Sequence, residues 1–149
     1  MSETTPTLVG FTAFCRNVAG ITEAAMPDAD PGFQIALDVG VGWIPCVLKQ
    51  ISGAIYTYTV YQWGVSWLLQ WQGDQTGQDF FATMRARYGV NNLVAGVISA
   101  TADESTSDTL TVGRALSDLD LVALQEIKNP FGRAAVATLM SLGPLWGLS

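Results

Sequence analysis

The sequence predicts a mainly α-helical fold, a small helical bundle with an inserted β-hairpin. Three observations predict it. Apolar residues recur at spacings of three and four along most of the chain. Residues that start and stop helices stand at the ends of those stretches. A single stretch, from about 94 to 112, is instead β-branched and alternating around a polar turn. With 149 residues the chain has the length of one domain. The expected organisation is one unit over 1–149, with the hairpin at about 94–113 and a docking C-terminal tail at 142–149.

The first helix is expected over about 7–18, where Leu8, Phe11 and Cys15 fall at helical spacing behind Pro6 and Thr7. Residues 26–32, Met-Pro-Asp-Ala-Asp-Pro-Gly, form a turn-rich connector, and Asp30-Pro31 fits an N-cap followed by proline at the first helical position. A helix from Pro31 to about Trp43 offers Phe33, Ile35, Leu37, Val39 and Trp43 for burial, and Pro45 interrupts it. The next helix, about 54–71, carries an aromatic stripe of Tyr56, Trp63, Trp67 and Trp71, with Val60 among them, which reads as core packing.

Residues 74–77 read as a loop. A short helix over about 78–88 then ends at Gly89, a suitable residue for the left-handed position after a helix. In the hairpin, residues 94–101 and 109–112 are the strands and 102–108 the polar turn. An isolated hairpin is marginal in water, so it must pack on something else. Ser117 or Asp118 caps a helix to Ile127, which Lys128-Asn129-Pro130 breaks. The last helix starts at Asn129-Pro130, with Asn capping and Pro first, and runs to Met140 before Gly143-Pro144. The tail Leu145-Trp146-Gly147-Leu148-Ser149 is apolar and too short to fold alone, so it is expected to dock.

Composition narrows the function. The net charge is -6; 13% of residues are charged and 49% hydrophobic. That is too apolar for a disordered chain. It is also poor in charge beside the roughly 25–35% that suits a free monomer's surface, which hints at further surface to bury. The chain has no histidine. Ser-His-Asp and Cys-His catalysis and His-ligated zinc are therefore excluded. Cys15 and Cys46 form no CxxC and read as small buried hydrophobes. A net acidic chain with scattered cations is a poor nucleic-acid groove binder. Residues 1–6 lack a signal peptide's cationic and apolar regions, so a cytosolic start is expected.

Residues 50–73 carry no charge and raise the alternative of a membrane span, which needs about 20 mostly apolar residues. The run contains Ser52, Ser66, Gln62, Gln70 and other polar residues, and its Trp and Tyr lie along its middle. A central helix buried on nearly all sides is the preferred reading.

No motif for catalysis, metal binding or a cofactor emerges. Gly40-Val41-Gly42 lacks the later glycine of a phosphate loop. Asp28 and Asp30 lack the rest of a calcium loop and read as turn and cap residues. Asp103, Glu104 and Asp108 cluster at the hairpin: a solvated tip, or a negatively charged ring if the subunit repeats around an axis. Asp118 and Asp120 favour a helix start. Arg85, Arg87 and Arg133 read as surface cations, able to pair with acids on a neighbour or touch phosphate.

The C-terminal half carries a pattern: Arg87-Tyr88-Gly89-Val90, then Gly96-Val97-Ile98-Ser99-Ala100-Thr101, then Asp108-Thr109-Leu110-Thr111-Val112, and finally Asn129-Pro130-Phe131-Gly132-Arg133. It resembles the head–tail connector (adaptor, or neck) proteins of tailed bacteriophages. That family shows a G-x-V-x-S segment, a Ser/Thr-rich hairpin and a T-P-Y-G-like helix start. Here Asn129 stands for Thr and Phe131 for Tyr. The resemblance covers about 87–149; the aromatic helix is similar in character only. It implies a mostly helical structural protein of the virion neck with no catalytic residues. It implies a dodecameric ring under the portal at the capsid vertex, made in the host bacterial cytoplasm. The ring extends the DNA channel without sequence-specific DNA binding and meets the tail or a stopper protein. The docking tail, Leu142, Leu145, Trp146, Leu148 and Ser149, is then the segment that reaches a partner such as the portal. The alternatives are a tail-completion, terminator or other minor virion protein, and a small membrane protein.

Overall fold

The computed structural model describes residues 5–91, 100–103, 106–109 and 125–142. Within them the chain is mainly helical, as expected. In order, the elements are α1 (Leu8–Asn17), α2 (Gly32–Trp43), α3 (Val47–Ile51), α4 (Gly53–Trp71), α5 (Phe80–Tyr88), β1 (Ala100–Asp103), β2 (Thr106–Thr109) and α6 (Pro130–Ser141).

Local chemistry sets most helix ends. The Thr7 hydroxyl accepts from the Gly10 amide at 3.1 Å, satisfying one of the free N–H groups at the start of α1. Asp30 accepts from the Gly32 amide at 2.8 Å, beside Pro31. Ser52, in extended backbone, accepts from the Ile55 amide at 3.3 Å. This cap separates α4 from the short α3, which sequence periodicity did not predict because five residues hold too little pattern. Asp74 reaches forward to the amides of Phe81 and Ala82 at 2.7 and 2.9 Å, so α5 starts at Phe80 and not at Gln78. Gly89 ends α5 at φ 64°, the left-handed position expected of it.

α4 is the centre of the bundle. At Gly40 of α2 a Cβ would lie 2.5 Å from the Val60 carbonyl oxygen, and at Gly64 of α4 one would lie 3.0 Å from that of Ala36. The two backbones therefore meet where only glycine fits. Pairing of 40 with 60 and of 36 with 64 makes α2 antiparallel to α4. Ser66 faces α6 instead. Positions 64 and 66 are about 200° apart on a helix, so α2 and α6 flank opposite sides of α4. α1 lies over α4 through Phe11 and Phe14, whose rings sit 5.6 and 5.7 Å from Tyr61, and Phe14 also meets Phe131 of α6 at 6.4 Å. The core between these layers includes Phe11, Phe33, Met26, Val60, Leu68 and Leu139, all essentially inaccessible. Each such side chain contributes about 1.5–3 kcal/mol.

Several expected burials fail. Ile35 and Trp43 are exposed, because the inner face of α2 is 32, 33, 36, 37 and 40. Val39 is half-buried. Trp43 instead lays its ring on Trp63, centroids 5.8 Å apart. Of the aromatic stripe, Tyr56 and Trp63 are buried, Trp67 is half-buried and Trp71 is 70% exposed. Its spacing of four and three slightly exceeds 3.6, so by Trp71 the stripe has wound about 60° from Tyr56. Cys15 is buried as expected, but Cys46 is exposed, since Leu48 takes the inner side of α3.

β1 and β2 pair antiparallel, Ala100 with Thr109 through Asp103 with Thr106. Residues 102, 103, 106, 107 and 108, expected in a turn, belong to this ladder. Most of the expected hairpin, 94–99 and 110–113, lies outside the described residues, as does most of the helix expected from Ser117 or Asp118. No helix among the described residues is long and apolar enough to cross a membrane, which removes the support that 50–73 lent to a membrane span.

Candidate functional site

The motif Asn129-Pro130-Phe131-Gly132-Arg133 forms the start of α6 and sits on a buried polar network. Asn129 is fully buried. Its Oδ1 accepts from the Gly132 amide at 2.8 Å, the N-cap expected of it, and Pro130 occupies the first turn. Its Nδ2 donates to Ser66 Oγ of α4 at 2.8 Å. The Ser66 hydroxyl donates to Glu126 Oε2, and Gln70 Nε2 donates to Glu126 Oε1 at 2.9 Å and to Ser66 Oγ at 3.2 Å. Phe131 packs edge-on to Phe14. Arg133 points to solvent.

Gly132 is required by close approach. A Cβ there would lie 2.1 Å from the Glu126 carbonyl oxygen and 2.8 Å from Ser66 Oγ. Burial pushes the Glu126 carboxyl above the usual carboxylate range, and the Ser66 and Gln70 hydrogen bonds pull partly the other way. Both carboxylate oxygens and both ends of the Asn129 amide are engaged. A buried network of this kind fixes how one helix sits on another. Sequence reading singled out Asn129 but not Glu126. The available signal was Ser66 and Gln70, polar residues one turn apart in a helix otherwise fit for burial.

Other predicted positions are dispersed. Leu142 caps the end of α6, its amide donating to Leu139 at 3.0 Å, and packs against the core. Leu145, Trp146, Leu148 and Ser149 lie outside the described residues. Asp103 and Asp108 are in the strands, opposite Thr106 and Thr101; Glu104, Asp118 and Asp120 lie outside the described residues. Asp28 pairs with Arg16, whose guanidinium also donates to the Ile21 and Met26 carbonyls at 2.9 and 2.7 Å. Asp30 receives Gln75 at 3.2 Å besides capping α2. Both thus take the turn and cap roles predicted. Arg85 is committed to the Gln72 carbonyl at 2.7 Å, whereas Arg87 is exposed over the Tyr88 ring. Among the described residues no three His, Cys, Asp or Glu side chains gather as metal ligands do. Burial pushes the Cys15 thiol up to about 12.

Among the described residues, several large apolar side chains are exposed. Val9 is 82% exposed, and Val18, Trp43, Ile51, Tyr58 and Trp71 are each more than half exposed. Comparison with family models, curated proteins and solved structures found no match to this chain.

Proposed function

We propose that this chain is a structural protein of a bacteriophage virion, forming an adaptor (collar) ring between the portal and the tail. The observation that carries the reading is the set of large apolar side chains held in solvent, Val9, Trp43, Ile51, Tyr58 and Trp71 among them. Large exposed apolar side chains suit a surface that another protein covers where they adjoin one another. The choice of the neck rests on the resemblance of residues 87–149 to connector proteins. The start of α6 supports that choice by giving Asn129, Phe131 and Gly132 of its motif packing roles, from the Asn129 cap to the close approach at Gly132.

In this reading the subunit repeats as a ring, twelve in the connector family, with the inserted hairpin at about 94–113 as part of the subunit. The ring extends the channel for passing double-stranded DNA without sequence-specific contacts, and meets the portal on one side and a tail or stopper protein on the other. The net acidic balance suits a conduit, because strong phosphate contacts would retain DNA. Leu142 itself packs against the core, and the rest of the segment 142–149 is the part proposed to dock on the portal. The protein is made in the host cytoplasm and resides in the virion neck.

Mass photometry of the protein alone and with the portal of its phage tests this. A portal-dependent ring is expected. Deleting residues 145–149 is expected to leave the fold intact and abolish stable attachment. A monomer indifferent to the portal would overturn the reading, and electron microscopy locating the chain elsewhere along the virion axis would favour a tail-completion or terminator role.

A further inference from the structure

An exposed apolar strip begins where α6 stops. α6 runs antiparallel to α4: Glu126 meets Gln70, Asn129 meets Ser66, and Phe131 reaches Tyr58 through the ring of Phe14, at 6.4 and 6.1 Å. Ala135, Val136 and Leu139 keep α6 in the core along its length. From Gly132, pressed against Ser66, to Leu142 the chain advances about 15 Å. That matches the ten residues of α4 from Ser66 back to Tyr56, so α6 ends level with the first turn of α4.

Ile55 lies on the side of α4 that α6 covers, eleven residues from Ser66, which is three turns and about 20°. Thr59 and Ser66 on that side are buried, but Ile55 is exposed. Tyr58, its neighbour on the helix, is exposed too and lies against Phe14. Val18, four residues after Phe14 and so beside it at the end of α1, is also exposed. Ile55, Tyr58 and Val18 thus continue the α4–α6 interface beyond the end of α6.

Where the chain leaves the described residues decides what can cover them. The stretch between Val90 and Gln125 is rooted at the other end of α4: Gln125 donates to the Val90 carbonyl at 3.0 Å, Lys128 to that of Gly89 at 3.2 Å, and Glu126 sits on Gln70, about 20 Å along the helix from Ile55. Residues 143–149 leave from Leu142, at the strip itself. Seven residues reach up to about 23 Å. Their sequence offers Leu145, Trp146 and Leu148 behind the helix stop Gly143-Pro144.

We infer that residues 143–149 dock on their own subunit, covering Ile55, Tyr58 and Val18 with Leu145, Trp146 and Leu148. The driving force is removal of apolar surface from water on both partners. The short tether holds the tail at an effective concentration on the order of mM, ahead of any second copy in dilute solution. The inference concerns the free subunit and stands without the adaptor reading; on that reading the portal displaces the tail from this strip.

Cross-linking of the full-length protein tests it. The exposed native thiol is removed by Cys46→Ser, while Cys15 is buried with its thiol held protonated and stays. Ser149→Cys puts a thiol at the chain end. Asn17→Cys in one protein and Gln62→Cys in another put the second thiol on either side of the strip, beside Val18 and one turn beyond Tyr58. A short flexible bismaleimide is added to dilute protein, and cross-linked monomer is followed by gel and mass spectrometry. The comparison carries Leu145→Ser, Trp146→Ser and Leu148→Ser, which keep the tether equally long; circular dichroism checks its fold. At one or both positions the native tail is expected to cross-link within the monomer about tenfold faster than the polar tail. A native tail no faster than the polar one at both positions overturns the docking, because the tether alone would then account for the encounters. Cross-linked dimer in place of monomer overturns the assignment to the same subunit. The portal experiment decides the adaptor reading separately.

Discussion

Replacing Gly132 by alanine should unfasten the last helix from the central one. The added Cβ would sit 2.1 Å from the Glu126 carbonyl oxygen and 2.8 Å from Ser66 Oγ. Relief requires a shift of about 1 Å between α6 and the 126–129 segment to restore ordinary contact. Overpacking of this kind costs about 1–3 kcal/mol. The same shift pulls the Gly132 amide from its 2.8 Å bond to Asn129, a cap contributing about 0.5–2 kcal/mol. It also strains the 2.8 Å bond from Asn129 to Ser66, and an orphaned buried polar atom costs about 1–3 kcal/mol. Alanine's better helix propensity returns about 1 kcal/mol. The expected net loss is about 3 kcal/mol, or about 6–12 °C in Tm for a chain of this length. Urea and thermal unfolding followed by tryptophan fluorescence measure it, with Gly42→Ala as control. At Gly42, also helical, a Cβ meets nothing within 4 Å, so stability should hold or rise by up to about 1 kcal/mol. A Gly132→Ala protein within about 0.5 kcal/mol of wild type would refute the packing described for the Asn129 motif.

Three further outcomes are expected. Burial raises the Glu126 carboxyl's pKa in the folded state, so its protonated form is favoured there. Its contribution is therefore fully present below the ordinary carboxylate value and declines as pH rises through the raised one; Glu126→Gln should flatten that decline in urea midpoints across mildly acidic pH, and an unchanged slope would show that Glu126 does not titrate there. Thr57 is buried and its hydroxyl has no hydrogen-bond partner among the described residues, so Thr57→Val should raise stability by about 1 kcal/mol in denaturant melts, and a loss would indicate a partner elsewhere in the chain. Trp63→Ala should cost about 3–5 kcal/mol and Trp71→Ala less than about 1 kcal/mol, and equal losses would contradict the winding of the stripe.

Helix positions were legible because their signals are local. The Thr7 and Asn129 caps, the Asp30-Pro31 start, the Gly89 stop and the uncharged central run each act within a turn or two of chain, so neighbouring residues carry them. The placing of α4 at the centre followed from its lack of charge, since nothing on it needs water. Which side of each helix is covered was not legible, because it depends on where distant segments cross. Periodicity assigned Ile35, Trp43 and Trp71 inward, and the crossings at Gly40 and Gly64 turned other residues in. Arg85, read as a surface cation, was drawn onto the Gln72 carbonyl by the fold of α5 against the end of α4. The Glu126 network joins residues up to 63 positions apart. Its members are individually ordinary in sequence, and only folding removes them from water, where each must find the others or remain unpaired.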